Sequence, residues 1–168
     1  MKIENIVVVP KLSKYELDMH LLNLTSDQLL QKYKEEGVDI NRMLSSHERQ
    51  KSALNKLKEL LPGALFVSRD QFTKDIAGNS DLVIAFGGDN HFQYVSHFLE
   101  DKLILGINSD PDSSVGALTY FTVDSFANEL KDIKDGKYNT EDWTRLGVYF
   151  NGDLVGLATS FSPKRRFF

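Results

Sequence analysis

The chain is 168 residues long, enough for one domain with a real core, and its formal net charge of −4 argues against an electrostatic nucleic-acid binder. It has no cysteine, so a disulfide framework and a thiolate zinc site are excluded. No apolar run approaches membrane-spanning length and the opening Met1-Lys2-Ile3-Glu4 has no signal-peptide pattern, so no membrane partner and a cytoplasmic setting are expected.

In chain order, Ile3 to Val9 reads as a first buried strand, with Ile6 to Val9 continuously apolar and Pro10 ending it. Lys11, Ser13 and Lys14 follow at its carboxyl end, either facing a ligand or simply solvated. Tyr15 to Leu24 has a helical spacing of leucines. Thr25 and Gln28 form a candidate capping box for a helix that runs to Glu36 and stops at Gly37. A further helix, beginning at Asn41 or Ser45, runs through Leu54, Leu57 and Leu60 to Pro62-Gly63 and feeds a short strand over Ala64 to Ser68. The stretch from Tyr15 to Leu44 is long for one crossover, which suggests a helical insertion packing against a partner subunit. Arg69 is either a phosphate clamp or the partner of Asp70 or Asp75.

Residues 81–90, DLVIAFGGDN, organise the rest of the chain. Leu82 to Phe86 is a strand buried on both faces, and Phe92, Val95, Phe98 and Leu99 then recur at helical spacing. Between them, Gly87-Gly88 let the backbone approach a phosphate with free N–H groups, and Asp89 is a carboxylate at the rim; a plain tight turn is the alternative. Lys102 to Ile107 is a second buried run, ending in Asn108-Ser109-Asp110-Pro111. Two such strand ends side by side form a crevice where open α/β sheets bind ligands. Asp124-Ser125 is a candidate N-cap for a helix with Phe126, Leu130 and Ile133 on one face and Gly136 at its end. Trp143 to Phe150, Asn151-Gly152 and Leu154 to Ala158 read as a hairpin with a type I′ turn.

His20, His47, His91 and His97 offer no i, i+4 pair, which excludes a His-Glu-x-x-His metal site. His91 sits beside the glycine turn, where it either contacts a phosphate when protonated or faces solvent.

The motif GGDN followed by LILGINSDPDSSVGAL resembles the NAD kinase family, with its GGDG turn, Gly-x-Asn strand end and loop to Gly-x-Leu. The Ser109-Asp110-Pro111 loop and the opening VVVPKLSKYELD look most like the mitochondrial-type branch. The resemblance implies an α/β fold: a Rossmann-like parallel sheet flanked by helices, as in NAD kinase and phosphofructokinase amino-terminal domains. Residues 1–138 would form a nucleotide-binding domain, and 139–168 the start of an antiparallel β domain, truncated here. It further implies transfer of the terminal phosphoryl group of ATP, or of another donor, to the 2′-hydroxyl of NAD to give NADP, with Mg²⁺ as cofactor.

Asp89 would be the general base or orienting carboxylate, and Gly87, Gly88, Asn90, His91, Asn108, Ser109, Asp110 and Gly116 the nucleotide-binding residues, with Mg²⁺ near Asp89 or Asp110. Asn90 stands where the family has glycine, and asparagine tolerates a left-handed backbone there; His91 stands where the family has threonine. The Asn-Glu pair and Gly-Ser-Thr loop of the family's β domain do not occur in this sequence, so the chain alone is expected to be inactive or weakly active. Apolar hairpin residues such as Leu154, Val155 and Phe161 would then be exposed, and a homo-oligomer is expected. A non-catalytic nucleotide-binding module and a lipid or sugar kinase with a GGD turn are the alternatives.

Overall fold

A computed structural model describes residues 2–159. The elements are β1 (Ile6–Pro10), α1 (Lys14–Leu22), α2 (Ser26–Glu35), α3 (Ile40–Leu60), β2 (Leu65–Phe66), α4 (Lys74–Gly78), β3 (Leu82–Gly87), α5 (Asp89–Ser96), β4 (Leu103–Asn108), α6 (Val123–Lys134), β5 (Arg145–Phe150) and β6 (Asp153–Thr159). Strands β2-β1-β3-β4 form one four-stranded sheet and β5-β6 a separate pair. Pairing in the larger sheet is parallel throughout, with Val8 of β1 between Phe66 of β2 and Ile84 of β3. The fold is therefore the expected α/β arrangement with a small antiparallel sheet after it.

Alternation along the strands builds two cores. Ile6, Val8, Leu82, Ile84, Phe86 and Ile107 face Leu57 and Leu61 of the α3 region and Phe126 and Ile133 of α6. Val7, Val9, Val83 and Ala85 face Ala77 of α4 and Phe92, Val95 and Leu99 on the α5 side. Side chains on a strand point alternately to its two faces, so strands buried on both faces must be apolar throughout. The chain leaves β1 for β2 on one side and returns to β3 on the other. The carboxyl ends of β1 and β3 are thus the topological switch point of the sheet.

Helix starts are set by caps. Thr25 and Gln28 close the expected box on α2. Ser13 and Glu16 close another on α1, one turn before the leucine spacing becomes visible. Asp39, rather than Asn41 or Ser45, caps α3. The Asp124-Ser125 reading is corrected too: Thr122 is the N-cap of α6, and Ser125 is its reciprocal third residue.

The insertion packs on its own chain. Tyr15 of α1 and Leu29 and Tyr33 of α2 are buried against Met43 and Leu44 of α3. Length explains how. A helix of 21 residues spans about 30 Å, against roughly 20 Å for strands of this size. The carboxyl half of α3 packs on the sheet through Ala53, Leu54 and Leu57. Its amino half overhangs the carboxyl ends of the strands, where α1 and α2 cover it.

In the hairpin, Asn151 and Gly152 have φ of 50° and 92°, the type I′ combination expected of Asn-Gly. Strand β5 starts at Arg145, whose guanidinium donates to the Ser96 carbonyl at 2.6 Å, and Trp143 packs against Phe92 with ring centroids 5.9 Å apart. Val148, Tyr149, Phe150, Leu154 and Val155 are all exposed. Phe161 and the basic tail from Lys164 lie outside the described residues. A two-stranded sheet with this much open apolar surface is marginal alone. Sedimentation velocity is expected to show concentration-dependent association that Val155→Lys reduces; a monomer at every concentration would contradict it.

Candidate functional site

The site gathers at the carboxyl ends of β1, β3 and β4. Gly87 ends β3 in register with Asn108 at the end of β4, and the Lys11 amide donates to the Phe86 carbonyl at 2.9 Å, which brings the end of β1 alongside. The two glycines differ in what they do. A Cβ on Gly87 would stand 2.9 Å from His91 Cδ2 and 3.1 Å from Lys11 Cβ, so Gly87 is required by packing within the chain. A Cβ on Gly88 would meet nothing within 4 Å. Gly88 is the N-cap of α5 and makes no side-chain cap. The opening amides of α5 thus have no side-chain cap, and space is open beside Gly88 at the positive end of the helix dipole, an arrangement suited to a phosphate.

Asp89 is the first residue of α5, and its carboxylate is engaged. Oδ2 accepts from the Ala117 amide at 2.8 Å; Oδ1 accepts from the Leu118 amide at 2.9 Å, the Thr119 amide at 3.2 Å and the Thr119 hydroxyl at 3.3 Å. Burial alone would raise its pKa, but these backbone and hydroxyl donors outweigh it and hold the carboxyl below its ordinary value. Asp89 is thus an acceptor that keeps its charge, and a weaker base than a free carboxylate. A carboxylate offers about four acceptor directions, so Oδ2 retains one.

The loop that Asp89 grips is shaped by two glycines. Gly116 has φ +67°, and a Cβ there would stand 2.4 Å from Thr119 Oγ1 and 2.9 Å from Asn108 Nδ2. Gly106 lies under the loop: its Cβ would be 2.4 Å from the Leu118 carbonyl oxygen and 2.8 Å from Thr119 Cα. The chain then pairs beside β4, with the Asn108 amide donating to Phe121 O at 2.7 Å.

Several of the sequence-derived site residues have partners within the chain. Asn108 is 4% exposed; its Oδ1 accepts the Asp110 amide at 3.0 Å and its Nδ2 donates to Ser114 O at 2.8 Å, so it shapes the loop. Ser109 is buried toward Gln50. Asp110 is held by Arg49 on Oδ1 and by Arg49, Ser46 and Ser113 together on Oδ2. Asn90 lies in the right-handed helix α5, so its tolerance of left-handed backbone plays no part. Arg69 pairs with neither Asp70 nor Asp75; its guanidinium stacks 3.7 Å from the Tyr94 ring centroid. Among the described residues no group of three or more His, Cys, Asp or Glu could hold a metal ion. No ready-made cage for Mg²⁺ stands among the described residues, while Asp89 Oδ2 and Asp110 Oδ1 each keep one acceptor direction that could assist a phosphate-borne ion.

His91 does not face solvent. It is 2% exposed, and its Nε2 lies 2.8 Å from the Val9 carbonyl. A carbonyl only accepts, so Nε2 carries a proton. Nδ1 is buried without a partner. Burial, opposed by the Val9 bond and aided by the charges of Arg69 and Lys11, pushes the imidazole down to about 4. The unfolded chain then binds this proton more readily, near 6.5. The neutral His91 is therefore fully compatible with the fold above pH 6.5, and stability falls as the pH drops from 6.5 toward 4, by about 3 kcal/mol. NMR titration should place the imidazole near 4; titration near 6.5 would contradict the buried neutral ring.

Sequence reading missed Arg49, Ser46, Thr119 and Gly106. Of these, only Gly106 carried a local signal, two residues before Asn108 at a strand end.

A cleft of about 670 Å³ runs along the outer edge of β4, lined by Leu103, Leu105, Tyr138, Trp143 and Arg145 among others, and it does not include Asp89. The glycine turn, with its open helix terminus and charged acceptor at the switch point, is the better ligand site on chemistry.

Fold and site together define an open α/β protein with an open glycine turn at its switch point. No protein-family model matches the chain. Over 105 residues it is 30% identical to an NADH kinase of Arabidopsis thaliana, covering 53% of this chain and 33% of that protein. It is 27% identical over 113 residues to an NAD kinase of Chlorobium limicola, covering 67% of this chain and 38% of that one. An NAD kinase of Syntrophobacter fumaroxidans is 36% identical over 76 residues, 44% of this chain and 26% of that one. The matches span about a third of the length of these curated relatives. They support the NAD kinase family.

Proposed function

We propose that this chain forms the nucleotide-binding part of an NAD kinase-like phosphotransferase of the mitochondrial type, acting in the cytoplasm, with ATP as donor and the 2′-hydroxyl of NAD as acceptor. The observation that carries the reading is the uncapped amino terminus of α5 behind Gly88, with the charged Asp89 carboxylate beside it at the switch point. The likeness to three NAD and NADH kinases supports the same chemistry and favours neither a lipid or sugar kinase nor a non-catalytic module.

In this reading the amides of Asp89 and Asn90 receive phosphate oxygens, and Gly88 leaves room for them. Phosphoryl transfer depends mostly on positioning and charge neutralisation, so a strong base is not required. Asp89 Oδ2 accepts the hydrogen bond of the attacking hydroxyl through its remaining direction. Mg²⁺ arriving with the triphosphate would supply charge neutralisation there.

The 168-residue chain is expected to bind nucleotide yet turn over weakly, because residues 139–159 supply only a hairpin where the family places its NAD-holding Asn-Glu and Gly-Ser-Thr segments. Calorimetric titration with Mg-ATP and with NAD, beside an NADP-formation assay, tests this. Binding of neither nucleotide at millimolar concentration would remove the reading.

A further inference from the structure

We propose that Arg49, on the insertion helix α3, is a positioning residue of this site, acting through Asp110 and Asn108 on the loop whose amides Asp89 holds. Calling it part of a kinase site rests on the function proposed above; the coupling itself does not.

The contacts form an unbroken series. Arg49 grips Asp110 as a fork, Nε to Oδ1 at 2.7 Å and Nη2 to Oδ2 at 3.2 Å. Ser46 and Ser113 hydroxyls donate to the same Oδ2 at 2.5 and 2.6 Å, and Arg49 Nη2 also reaches the Ser113 hydroxyl at 3.3 Å. Asp110 is 5% exposed, so its orientation is set by these donors rather than by water. Its own amide is then aimed at Asn108 Oδ1, 3.0 Å away. Asn108 Nδ2 in turn fixes the Ser114 carbonyl at 2.8 Å. Gly116 lies against that same Nδ2 with its positive φ, and the run of amides offered to Asp89 begins at the next residue. The overhang of α3 beyond the strand ends is what brings Arg49 over this loop. Apart from the Ser113 and Ser114 amides, which donate to the Asp110 carbonyl at 3.1 and 3.3 Å, the segment between Asp110 and Gly116 is open, with Val115 98% exposed.

The plainer role for the pair is to fasten α3 to the sheet. The two roles separate by where the protein loosens. Arg49→Met keeps the apolar stem and removes the fork; Arg49→Lys keeps the charge without the planar fork. Amide exchange followed by NMR reads the amides of Ala117, Leu118 and Thr119, none of which touches Arg49, against the strand amides of Val83, Ile84 and Leu105. Arg49→Met is expected to speed exchange at 117–119 by on the order of tenfold while the strand amides hold, with Arg49→Lys intermediate. In a preparation that turns over, it is also expected to lower turnover more than nucleotide binding, since the opening amides of α5 are untouched. Exchange at 117–119 unchanged within about twofold, or a uniform acceleration of loop and strand amides together, would overturn the proposal. Titration of the wild type with Mg-ATP and NAD runs alongside: failure to bind either removes the kinase reading, and the exchange comparison still decides whether Arg49 governs the loop.

Discussion

Asparagine at position 89 is expected to lower NADP formation by roughly 10²–10⁴-fold in a preparation that turns over, with a much smaller effect on nucleotide binding. The size reflects what the carboxylate does at both oxygens. Oδ1 takes three donors from Leu118 and Thr119, and Oδ2 takes the Ala117 amide. Asparagine supplies only one acceptor oxygen. Whichever way its amide is turned, its NH₂ faces at least one backbone N–H, donor against donor. The loop must then shift, and the acceptor for the attacking hydroxyl is lost with it. Phosphates held by the opening amides of α5 do not depend on that side chain, so binding changes less. Steady-state kinetics with calorimetry checks the split. Unchanged turnover would remove Asp89 from the reaction, and an equal loss in both quantities would assign it to binding alone. Because its pKa is lowered in the fold, the charge that holds the loop is present above the ordinary carboxyl range and is lost only as the pH falls through the depressed value.

Alanine at Gly106 is expected to destabilise the chain by roughly 1–3 kcal/mol, toward the upper end, and to break the Asp89 contacts without touching Asp89. The atoms a Cβ would meet are backbone: the Leu118 carbonyl at 2.4 Å and Thr119 Cα at 2.8 Å, with Phe92 Cδ2 at 3.0 Å behind them. A side-chain tip could swing aside; a chain paired to β4 at Phe121 and held by Asp89 cannot. Urea unfolding measures the cost, and amide exchange at Leu118 and Thr119 measures the displaced loop. Stability within about 0.5 kcal/mol of wild type would mean that the loop does not lie on β4 as described.

What could be read directly from the residues was local. The runs Ile6–Val9 and Leu82–Phe86, the Thr25-Gln28 capping box and the Asn151-Gly152 turn each depend on neighbours within a few positions, and each is found where expected. The glycine turn and its place at a strand's carboxyl end were legible for the same reason: strand, turn and helix are one contiguous stretch. The functions of the polar side chains were not legible. Asp89 meets its amides about 30 positions along the chain, Asp110 meets Arg49 61 positions away, and His91 meets the Val9 carbonyl 82 positions away. Nothing within a helical turn of His91 signals that its ring will be buried, because burial is decided by the neighbouring strand β1 and not by the helix that carries it. Likewise Asp110 looks like a ligand-contacting residue in isolation, and the overhanging half of α3 holds it through Ser46 and Arg49, while Asn108 bonds its own loop at Asp110 and Ser114. A polar side chain at a strand end has several acceptable partners, and only the packing of distant elements determines which of them arrives.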